Sequence, residues 1–429
     1  MKIIILLVFA NLVCLFGFSQ KIEWADYTYS TANFNSGTGT VTDNAGNVYV
    51  LGDITGQLSI QGSVFTNQYG LVDIILIKYD PQGGLLWAKV FGSTFLDEPF
   101  ELAIDVAQNI YASVSIQNVT QMSDTIYTAP FNKQIIQFDT DGNFKRYISK
   151  DGFTIALGAN SHYVYIAHRF TVEKLDTAFN QIWSRTSSSS IGMRFDDPIN
   201  PGRLKVADNG HLVVCGQEYG GGGSNTFDTL TLNFSAAPGD EVFVISMDTS
   251  GSALWATTLY TANTTLENHG QVIIDNSGNV YVAIRSAGDV IYFANDTLTN
   301  LLFPPEYWAV LKYNANGNPQ WGNGLYSSSS NAFIYDLLIN NQQELMVCGE
   351  ARGLTHFGNL QLVASPSETI TFVSRVSPTG FVHWVKHAEW GSNGSRHFSA
   401  MSMTPAGNYI ATGHYSGTFR IGCFTPMPG

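Results

Sequence analysis

Short apolar runs, each flanked by a tight-turn sequence, recur along the whole chain. The first complete set begins near Gly39 and includes the β-branched and aromatic runs Val48–Leu51 and Asp73–Tyr79. Clusters of Asp, Asn and Gly separate these runs, one beginning at Asp43 and another at Asp80. Such clusters favour tight turns because glycine adopts positive φ and Asx side chains cap the turn. The pattern predicts four antiparallel strands in each repeat, called A, B, C and D here in chain order.

The set of four runs returns about seven times. The A–B turn recurs from Ala107, Asp208, Asp275, Asn340 and Pro405, and the C–D turn from Asp139, Asp176, Asp248, Asn314 and Ser377. One aromatic residue marks each fourth run, at Trp24, Trp87, Phe144, Trp183, Trp255, Trp321 and Trp384. This repetition predicts an all-β fold, a seven-bladed β-propeller of four-stranded antiparallel blades. The alternative, an open β-solenoid, usually has shorter repeats and no recurring Trp in a fourth strand.

The two ends of the chain each carry part of one further repeat. Trp24 lies in Lys21–Tyr27, a D-type run with no A run before it. The last copy has A and B runs, and only Gly417–Phe424 is available as its strand C. We therefore expect residues 20–429 to form one propeller domain, whose last blade is completed by residues 21–27. That closure removes an exposed sheet edge, while a weak strand C leaves a fraying or shortened C-terminal end.

The repeat resembles a known family. Its A–B part has the form Asp-x-x-Gly-Asn-x-Tyr-Val-x-Gly, as in Asp43–Gly52, and its C–D part approximates Phe-Val-x-Lys-x-Asp-x-x-Gly-x-x-x-Trp, as in Ile75–Trp87. Over nearly all of Ile22–Phe419 the chain is similar to the SBBP-type β-propeller repeat of secreted bacterial proteins. The second and third copies depart most, since Phe144 replaces Trp and the third lacks the insert between B and C. The resemblance implies a propeller fold and export, and it implies no catalytic residue.

Met1–Ser19 has the features of a signal peptide. Lys2 precedes the apolar run Ile3–Phe18, which is somewhat short for a membrane span, and small residues near Ser19 suit cleavage after that position. We expect a secreted or cell-surface protein with no membrane span in the mature chain; a retained anchor is the alternative. Cys14 raises a lipoprotein interpretation, which its place inside the apolar run disfavours.

Composition agrees with an exported globular domain. The chain has 429 residues, of which 44% are hydrophobic and 13% charged, and its net charge is −13. This acidic balance argues against nucleic acid and anionic membranes as partners. Cys215 and Cys348 occupy equivalent positions in different repeats, which are usually too far apart for a disulfide, so buried thiols are expected.

The candidate binding residues fall in the long, dissimilar loops. B–C inserts and D–A connections lie on the face opposite the short turns, and variable loops on a regular scaffold are where binding concentrates. The candidates are Asp97, Glu98, Arg194, Asp196, Asp197, Trp390, Arg396 and His397. The carboxylates suit acid–base chemistry or cation binding. Trp390, with Arg396 and His397 in the same loop, suits a sugar. Solvated loop charges and a packed rim aromatic are the commoner explanations.

No metal or other cofactor is expected. His383 and His387 lie four positions apart on a predicted strand. The distance along the strand is about 13 Å, which is too far for both to bind one metal ion. The Asp-x-x-Gly-Asn turns lack the alternating carboxylates of an EF-hand-like calcium loop, and turn chemistry alone accounts for them.

The favoured function is a non-catalytic binding or interaction scaffold acting through the B–C and D–A loops. A glycan, a peptide or a cell-surface protein is the expected kind of partner. The alternative is a propeller-type enzyme, quinoprotein-like or glycan-active, with a site in the central channel. The C–D segments resemble the Asp-x-x-x-Gly-x-x-x-Trp repeats of quinoprotein dehydrogenases, but the length and an adjacent Cys pair do not match that class. A purely structural module of a larger surface protein is a third possibility.

Overall fold

A computed structural model of the chain describes residues 2–11, 20–30, 36–117, 119–122, 125–130, 132–151, 156–159, 162–188, 193–195, 204–218, 223–234, 241–260, 266–286, 290–293, 296–299, 307–327, 332–363, 369–388 and 396–416. No helix long and apolar enough to cross a membrane occurs among them. The backbone divides into two compact units, which are described separately. The first unit is Met1–Asp151, Ile370–Val373 and Lys386–Gly429, and the second is Gly152–Thr369 and Ser374–Val385.

The strands of the first half of the chain are short and closely spaced. They are β1 (Lys2–Asn11), β2 (Gln20–Ser30), β3 (Gly37–Thr42), β4 (Val48–Ile54), β5 (Gln57–Ile60), β6 (Ser63–Thr66), β7 (Asp73–Tyr79), β8 (Leu85–Phe91), β9 (Glu98–Ile104), β10 (Ile110–Ser115), β11 (Val119–Met122), β12 (Thr125–Thr128), β13 (Lys133–Phe138), β14 (Phe144–Lys150), β15 (Ala156–Ala159), β16 (Tyr163–His168), β17 (Thr171–Asp176), β18 (Gln181–Thr186), β19 (Met193–Arg194), β20 (Leu204–Val206) and β21 (Leu212–Glu218).

The second half continues the same pattern. Its strands are β22 (Gly223–Phe227), β23 (Leu230–Phe234), β24 (Glu241–Met247), β25 (Ala253–Tyr260), β26 (Leu266–Ile274), β27 (Val280–Ser286), β28 (Val290–Phe293), β29 (Asp296–Thr299), β30 (Tyr307–Tyr313), β31 (Pro319–Ser327), β32 (Ala332–Ile339), β33 (Leu345–Arg352), β34 (Leu354–Phe357), β35 (Leu360–Val363), β36 (Thr369–Val376), β37 (Val382–Ala388), β38 (Arg396–Met403) and β39 (Tyr409–Ser416).

Consecutive strands form antiparallel meanders. Their orders are β3-β4-β7-β8, β9-β10-β13-β14, β15-β16-β17-β18, β20-β21-β24-β25, β26-β27-β30-β31 and β32-β33-β36-β37. In each meander the strands correspond in order to the predicted A, B, C and D runs. Strands B and C are rich in apolar residues because both of their faces are covered, as in β7, β21, β24 and β30, which are buried along their whole length. The prediction of an all-β propeller arrangement of antiparallel sheets is confirmed, with six such blades.

A further sheet of the first unit combines strands from both ends of the chain. Its order is β38-β39-β1-β2-β5-β6. The predicted run Lys21–Tyr27 lies inside β2 and so shares a sheet with β38 and β39. It does not pair with them directly, since β1 lies between. The run Gly417–Phe424, expected as strand C, lies outside the described residues.

The B–C inserts are β-hairpins that cover sheet edges. Each one meets the D strand of the preceding sheet: β5 pairs with β2, β28 with β25 and β34 with β31, and single bridges join Gln121 to Gly92 and Phe227 to Ser187. A D strand left uncovered would offer unpaired N–H and C=O groups to other chains. These inserts, predicted from sequence as loops for binding, therefore also complete the outer edges of the sheets.

The fourth-strand aromatics pack on the glycine of the next C–D turn. Gly317 has φ +80°, and a Cβ there would lie 2.7 Å from Trp255, so both backbone and space require glycine. The indole N–H of Trp255 donates to the carbonyl of Ala315 at 3.1 Å. Equivalent pairs are Trp87 with Gly142, Trp183 with Gly251 and Trp321 with Gly380. Trp255 is 8% exposed, whereas the other three are half-buried.

Candidate functional site

The A–B turn aspartates are occupied by their own turns. Asp105 accepts from the backbone N–H of Asn109 at 2.8 Å, from its side-chain amide at 2.8 Å and from the Tyr111 hydroxyl at 2.8 Å. Asp43 and Asp275 are held in the same way by the Asn and Tyr that follow them. The Asp-x-x-x-Asn-x-Tyr spacing therefore stabilises the A–B turn. The described residues contain no group of three or more His, Cys, Asp or Glu side chains placed to hold a metal ion.

At the end of the sheets opposite the A–B turns, strand A carries a recurring β-bulge. One extra residue interrupts the A–B pairing near the D–A connection, and it is Thr38, Phe100, Tyr335 or Ser399 in β3, β9, β32 and β38 respectively. A bulge bends the strand and re-aims the side chains beside it, and bulges are common next to functional sites. Of the two aromatic bulge residues, Phe100 is buried, whereas Tyr335 is partly exposed and is therefore a candidate for ligand contact.

Tyr335 is the centre of a polar and aromatic cluster in the second unit. Its ring stacks on Phe333 with centroids 6.1 Å apart and an interplanar angle of 18°. Phe333 lies opposite Glu350 in the register of β32 and β33. The guanidinium of Arg285 lies 5.6 Å from the centre of the Phe333 ring, and the indole of Trp308 meets that ring edge-on at 6.3 Å. All five residues lie where their strands meet a D–A connection or a B–C insert.

Glu350 has an unusual protonation equilibrium for a carboxyl. Burial raises its pKa to about 7, although a hydrogen bond from the Tyr335 hydroxyl and the charge of Arg352 both lower it. Burial and the same carboxylate raise the pKa of Tyr335, so its hydroxyl stays protonated and donates. Arg352 itself is anchored, since its Nε donates to the Thr369 hydroxyl at 2.6 Å. We call Arg285, Phe333, Tyr335 and Glu350 the Tyr335 cluster.

Asp97, a predicted site residue, is buried in the first unit. It is 1% exposed. Its Oδ2 accepts from the Ser93 N–H at 2.6 Å, and its Oδ1 accepts from the Ser93 hydroxyl at 2.7 Å. Burial raises its pKa to about 6, with a smaller contribution from the charge of Asp73. These contacts fix the D–A connection of its own sheet.

Asp73 holds the neighbouring insert in the same manner. It is fully buried, which raises its pKa, and it accepts from three consecutive backbone N–H groups, those of Gln68, Tyr69 and Gly70. The two carboxylates flank Gly92, because a Cβ on that glycine would lie 2.3 Å from Asp97 Oδ2 and 3.0 Å from Asp73 Oδ1. Asp97 and Asp73 together join two loops of the first unit.

Glu98 and His397 are the other predicted site residues with described side chains; Glu98 is exposed and His397 is half-buried. Glu98 forms an ion pair with Lys133 at 3.7 Å, with its side chain 53% exposed. His397 Nδ1 lies 3.2 Å from His414 Nδ1 across the β38–β39 pair, so one imidazole donates to the other. Asp97, Glu98 and His397 belong to the first unit, and the Tyr335 cluster belongs to the second.

The remaining predicted residues are described in part or not at all. Arg194 pairs with Gln217 through β19, and Arg396 pairs with Tyr415 through β38, in backbone terms alone. Asp196, Asp197 and Trp390 lie outside the described residues.

The residues of the Tyr335 cluster are not among the site residues predicted from the sequence. One indication of the cluster was available from the sequence, namely the position that its residues occupy within their repeat. Phe333 and Glu350 occupy the same places in β32 and β33 as His397 and His414 in β38 and β39, by the register of each pair. A search for polar and aromatic residues at these two places in each repeat would have found them.

Comparison with known proteins identifies no family for this chain. No family model matches the chain, and no curated protein matches it by sequence, so the resemblance to the SBBP repeat stays a prediction. Among solved structures it is similar to a protein of unknown function from Bacteroides caccae, at 10% identity over 59% of this chain and 93% of that one, TM-score 0.27. It is also similar to a eukaryotic initiation factor, at 8% identity over 96% and 98%, TM-score 0.38.

A third similar structure is the extracellular domain of a hybrid two-component system from B. thetaiotaomicron, at 13% identity over 90% of this chain and 65% of that one, TM-score 0.22. With every TM-score below 0.5, these likenesses carry no argument about ligand or activity.

Proposed function

We propose that this protein is an exported, non-catalytic binding module, a seven-bladed propeller that binds a glycan at the Tyr335 cluster. In this proposal residues 1–19 are a leader that is removed, and residues 21–27 complete the last blade. The repeat count, the apolar N-terminal run and the presence of β2 in one sheet with β38 and β39 support these points.

One observation carries the choice of site. The Tyr335 cluster places a stacked aromatic pair beside a carboxyl and a guanidinium at the loop end of its sheets. Aromatic faces suit the apolar faces of sugar rings, and fixed charged groups supply hydrogen bonds to hydroxyls. Carboxylates elsewhere, such as Asp105 and Asp97, are instead engaged by the backbone of their own turns and loops.

Binding is tested with the chain lacking residues 1–19, on an array of glycans and peptides followed by calorimetry on the best ligand. Tyr335→Ala should weaken that ligand at least tenfold, since a stacking contact is worth about 1 kcal/mol and its hydroxyl also orients Glu350. Tyr292→Ala is the matched control, because Tyr292 belongs to another stacked pair, with Tyr260 at 5.0 Å, outside the cluster. The control should bind like the wild type.

Equal loss in both variants, or none in Tyr335→Ala, would exclude the cluster as the binding site. Preferential binding of peptides would keep the site and change the ligand class. Export is tested independently by expressing the full chain in a secreting host and measuring the mass of the exported protein. That mass should equal the mass of a chain that begins at Gln20.

A further inference from the structure

Two histidines face each other at the loop end of the sheet that contains β38 and β39. His397 and His414 are directly opposite in the register of this antiparallel pair. Their Nδ1 atoms lie 3.2 Å apart, and their ring centroids lie 4.6 Å apart with an interplanar angle of 76°. One ring donates to the other in this contact, so both rings direct Nδ1 at the space between them. We call these two residues the histidine pair.

The backbone beside the histidine pair holds the two strands in close approach. Gly413 lies opposite Phe398, and a Cβ on this glycine would collide with the carbonyl oxygen of His397. Only glycine allows this contact, because any side chain would push β38 away. A β-bulge follows at once, between Phe398 and Ala400, and a bulge re-aims the side chains beside it. The separation of the two imidazoles is therefore set by the backbone.

The distance between the two nitrogens suits two ligands of one metal ion. Zinc–nitrogen bonds are about 2.0–2.1 Å long, so two imidazole nitrogens on one tetrahedral ion lie about 3.3 Å apart. The two Nδ1 atoms are already 3.2 Å apart. A ligating ring is neutral, carries its proton on Nε2 and offers the lone pair of Nδ1. An ion between the rings would thus replace their mutual hydrogen bond with little movement of either strand.

We propose that the histidine pair chelates a divalent transition metal ion of the zinc class. Imidazole suits Zn²⁺, Ni²⁺ and Cu²⁺, whereas Mg²⁺ and Ca²⁺ prefer oxygen ligands. Both rings are half-buried, so solvent reaches them. Typical zinc sites use three or more protein side chains, and the described part of the chain holds no such group of His, Cys, Asp or Glu. In this proposal the two rings fill two positions on the ion, and water or a donor atom of a bound molecule fills the others.

The histidine pair has no counterpart in the sequence motifs. His397 and His414 lie 17 positions apart and meet only because β38 and β39 are antiparallel neighbours. The chain also offers a contrast at β34 and β35, where His356 lies opposite Gln361 and its Nδ1 is 3.4 Å from the side-chain amide. That histidine has a cross-strand partner of similar reach, but the partner is an amide, which is a poor ligand for zinc.

Metal binding is tested by calorimetry on the full chain, with Zn²⁺ as the only added ligand and Mg²⁺ and Ca²⁺ as comparison ions. The wild type should bind one Zn²⁺ at the pair. His397→Gln and His414→Gln should each weaken that binding about tenfold or more, since even the loss of an outer partner of a metal ligand costs about 10–100-fold. His356→Gln is the matched control and should bind Zn²⁺ like the wild type.

Four outcomes would overturn the proposal. The first is a wild-type chain that binds no Zn²⁺, and the second is unchanged affinity in both His397→Gln and His414→Gln. An equal loss in His356→Gln would show that single histidines bind the ion without a built site. Binding of Mg²⁺ as tight as that of Zn²⁺ would exclude imidazole ligation.

A measurement on the unsubstituted chain covers failure of a variant to fold. An ion held by both strands opposes their separation, so saturating Zn²⁺ should slow amide hydrogen exchange in β38 and β39 by about tenfold or more. A chelator should reverse this effect, and β34 and β35 should exchange at the same rate with and without Zn²⁺. Unchanged exchange in β38 and β39 would contradict chelation by the histidine pair.

Discussion

The turn end and the loop end of the sheets use buried carboxyl groups in different ways. At the turn end, formed by the A–B and C–D turns, Asp105 is held by the Asn and Tyr of its own turn. At the loop end, formed by the B–C inserts and D–A connections, Glu350 is held by the hydroxyl of a bulged tyrosine. Asp105 accepts three hydrogen bonds from the Asn and Tyr that follow it and so stabilises a local turn, whereas Glu350, which accepts from the Tyr335 hydroxyl, is the carboxyl proposed to contact a ligand.

Asp97 shows that position alone does not decide the role. It lies at the loop end, like Glu350, and burial raises the pKa of both carboxyls. Its carboxylate nevertheless accepts from the N–H and hydroxyl of Ser93, four residues earlier in the same connection, and from the backbone N–H of Gln117. By its contacts Asp97 resembles the turn-end carboxylates, and substitution of each carboxyl can show whether contact or position governs its role.

The largest effect is expected at the turn end. Asp105→Ala should lower the free energy of unfolding by roughly 3–4 kcal/mol, because it removes the acceptor of the buried Tyr111 hydroxyl and of two N–H donors of Asn109. Urea unfolding followed by tryptophan fluorescence measures this loss. The control is Asp139→Ala, at a more exposed C–D turn with the same kind of contacts to Asn143, where about 1 kcal/mol is expected. Equal losses would show that burial of the turn is unimportant.

A somewhat smaller loss is expected for Asp97. Asp97→Ala should cost roughly 2–3 kcal/mol, since Ser93 loses both of its acceptors inside the protein. The adjacent Glu98→Ala should change stability by less than about 0.5 kcal/mol, because its ion pair with Lys133 is exposed to solvent. If Asp97→Ala abolished ligand binding while leaving stability intact, position rather than contact would govern its role.

The repeat could be predicted from the sequence because local interactions determine its turns and strands. Turns from Asp43 to Asn47 and the aromatic at Trp255 are fixed by φ, hydrogen bonding and packing within one or two blades, and the all-β propeller arrangement followed from them. Glu350 and Tyr335 lie 15 positions apart and meet only through the register of β32 and β33, which a bulge shifts. Asp97 looked like an exposed loop acid because burial depends on contacts with a second loop, which composition does not record.

Stability should fall as pH rises from about 4 to 7. The pKa of Asp97 is raised from 3.8 to about 6, and that of Glu350 from 4.5 to about 7, so the folded chain binds more protons than the unfolded chain in this window. Burial raises the pKa of Asp139 and Glu344, but their hydrogen bonds outweigh burial and the net pKa of each is lowered. These two groups therefore make stability rise with pH below about pH 4.5.

Asp97→Asn should remove the part of this slope between about pH 4 and 6, an amount of roughly 2–3 kcal/mol. Thermal unfolding across the pH range measures it, and Glu98→Gln serves as the control because its side chain is 53% exposed. A wild-type stability that rises through this window would contradict the assignment of a raised pKa to either carboxyl.

The smallest effect on stability, and the sharpest on function, is expected at Glu350. Glu350→Gln keeps the shape and an acceptor for the Tyr335 hydroxyl, so below about pH 4.5, where Glu350 is neutral, the free energy of unfolding should change by less than about 1 kcal/mol. Ligand affinity in the wild type should rise as pH passes through about 7, because the ionised carboxyl accepts stronger hydrogen bonds from ligand hydroxyls. The variant should bind more weakly and with no such pH dependence, as measured by calorimetry between pH 5.5 and 8.

Asp97→Asn should keep the pH dependence of binding. If Glu350→Gln retained it, another group would titrate at the binding site, and Glu350 would be a structural carboxyl like those of the turn end.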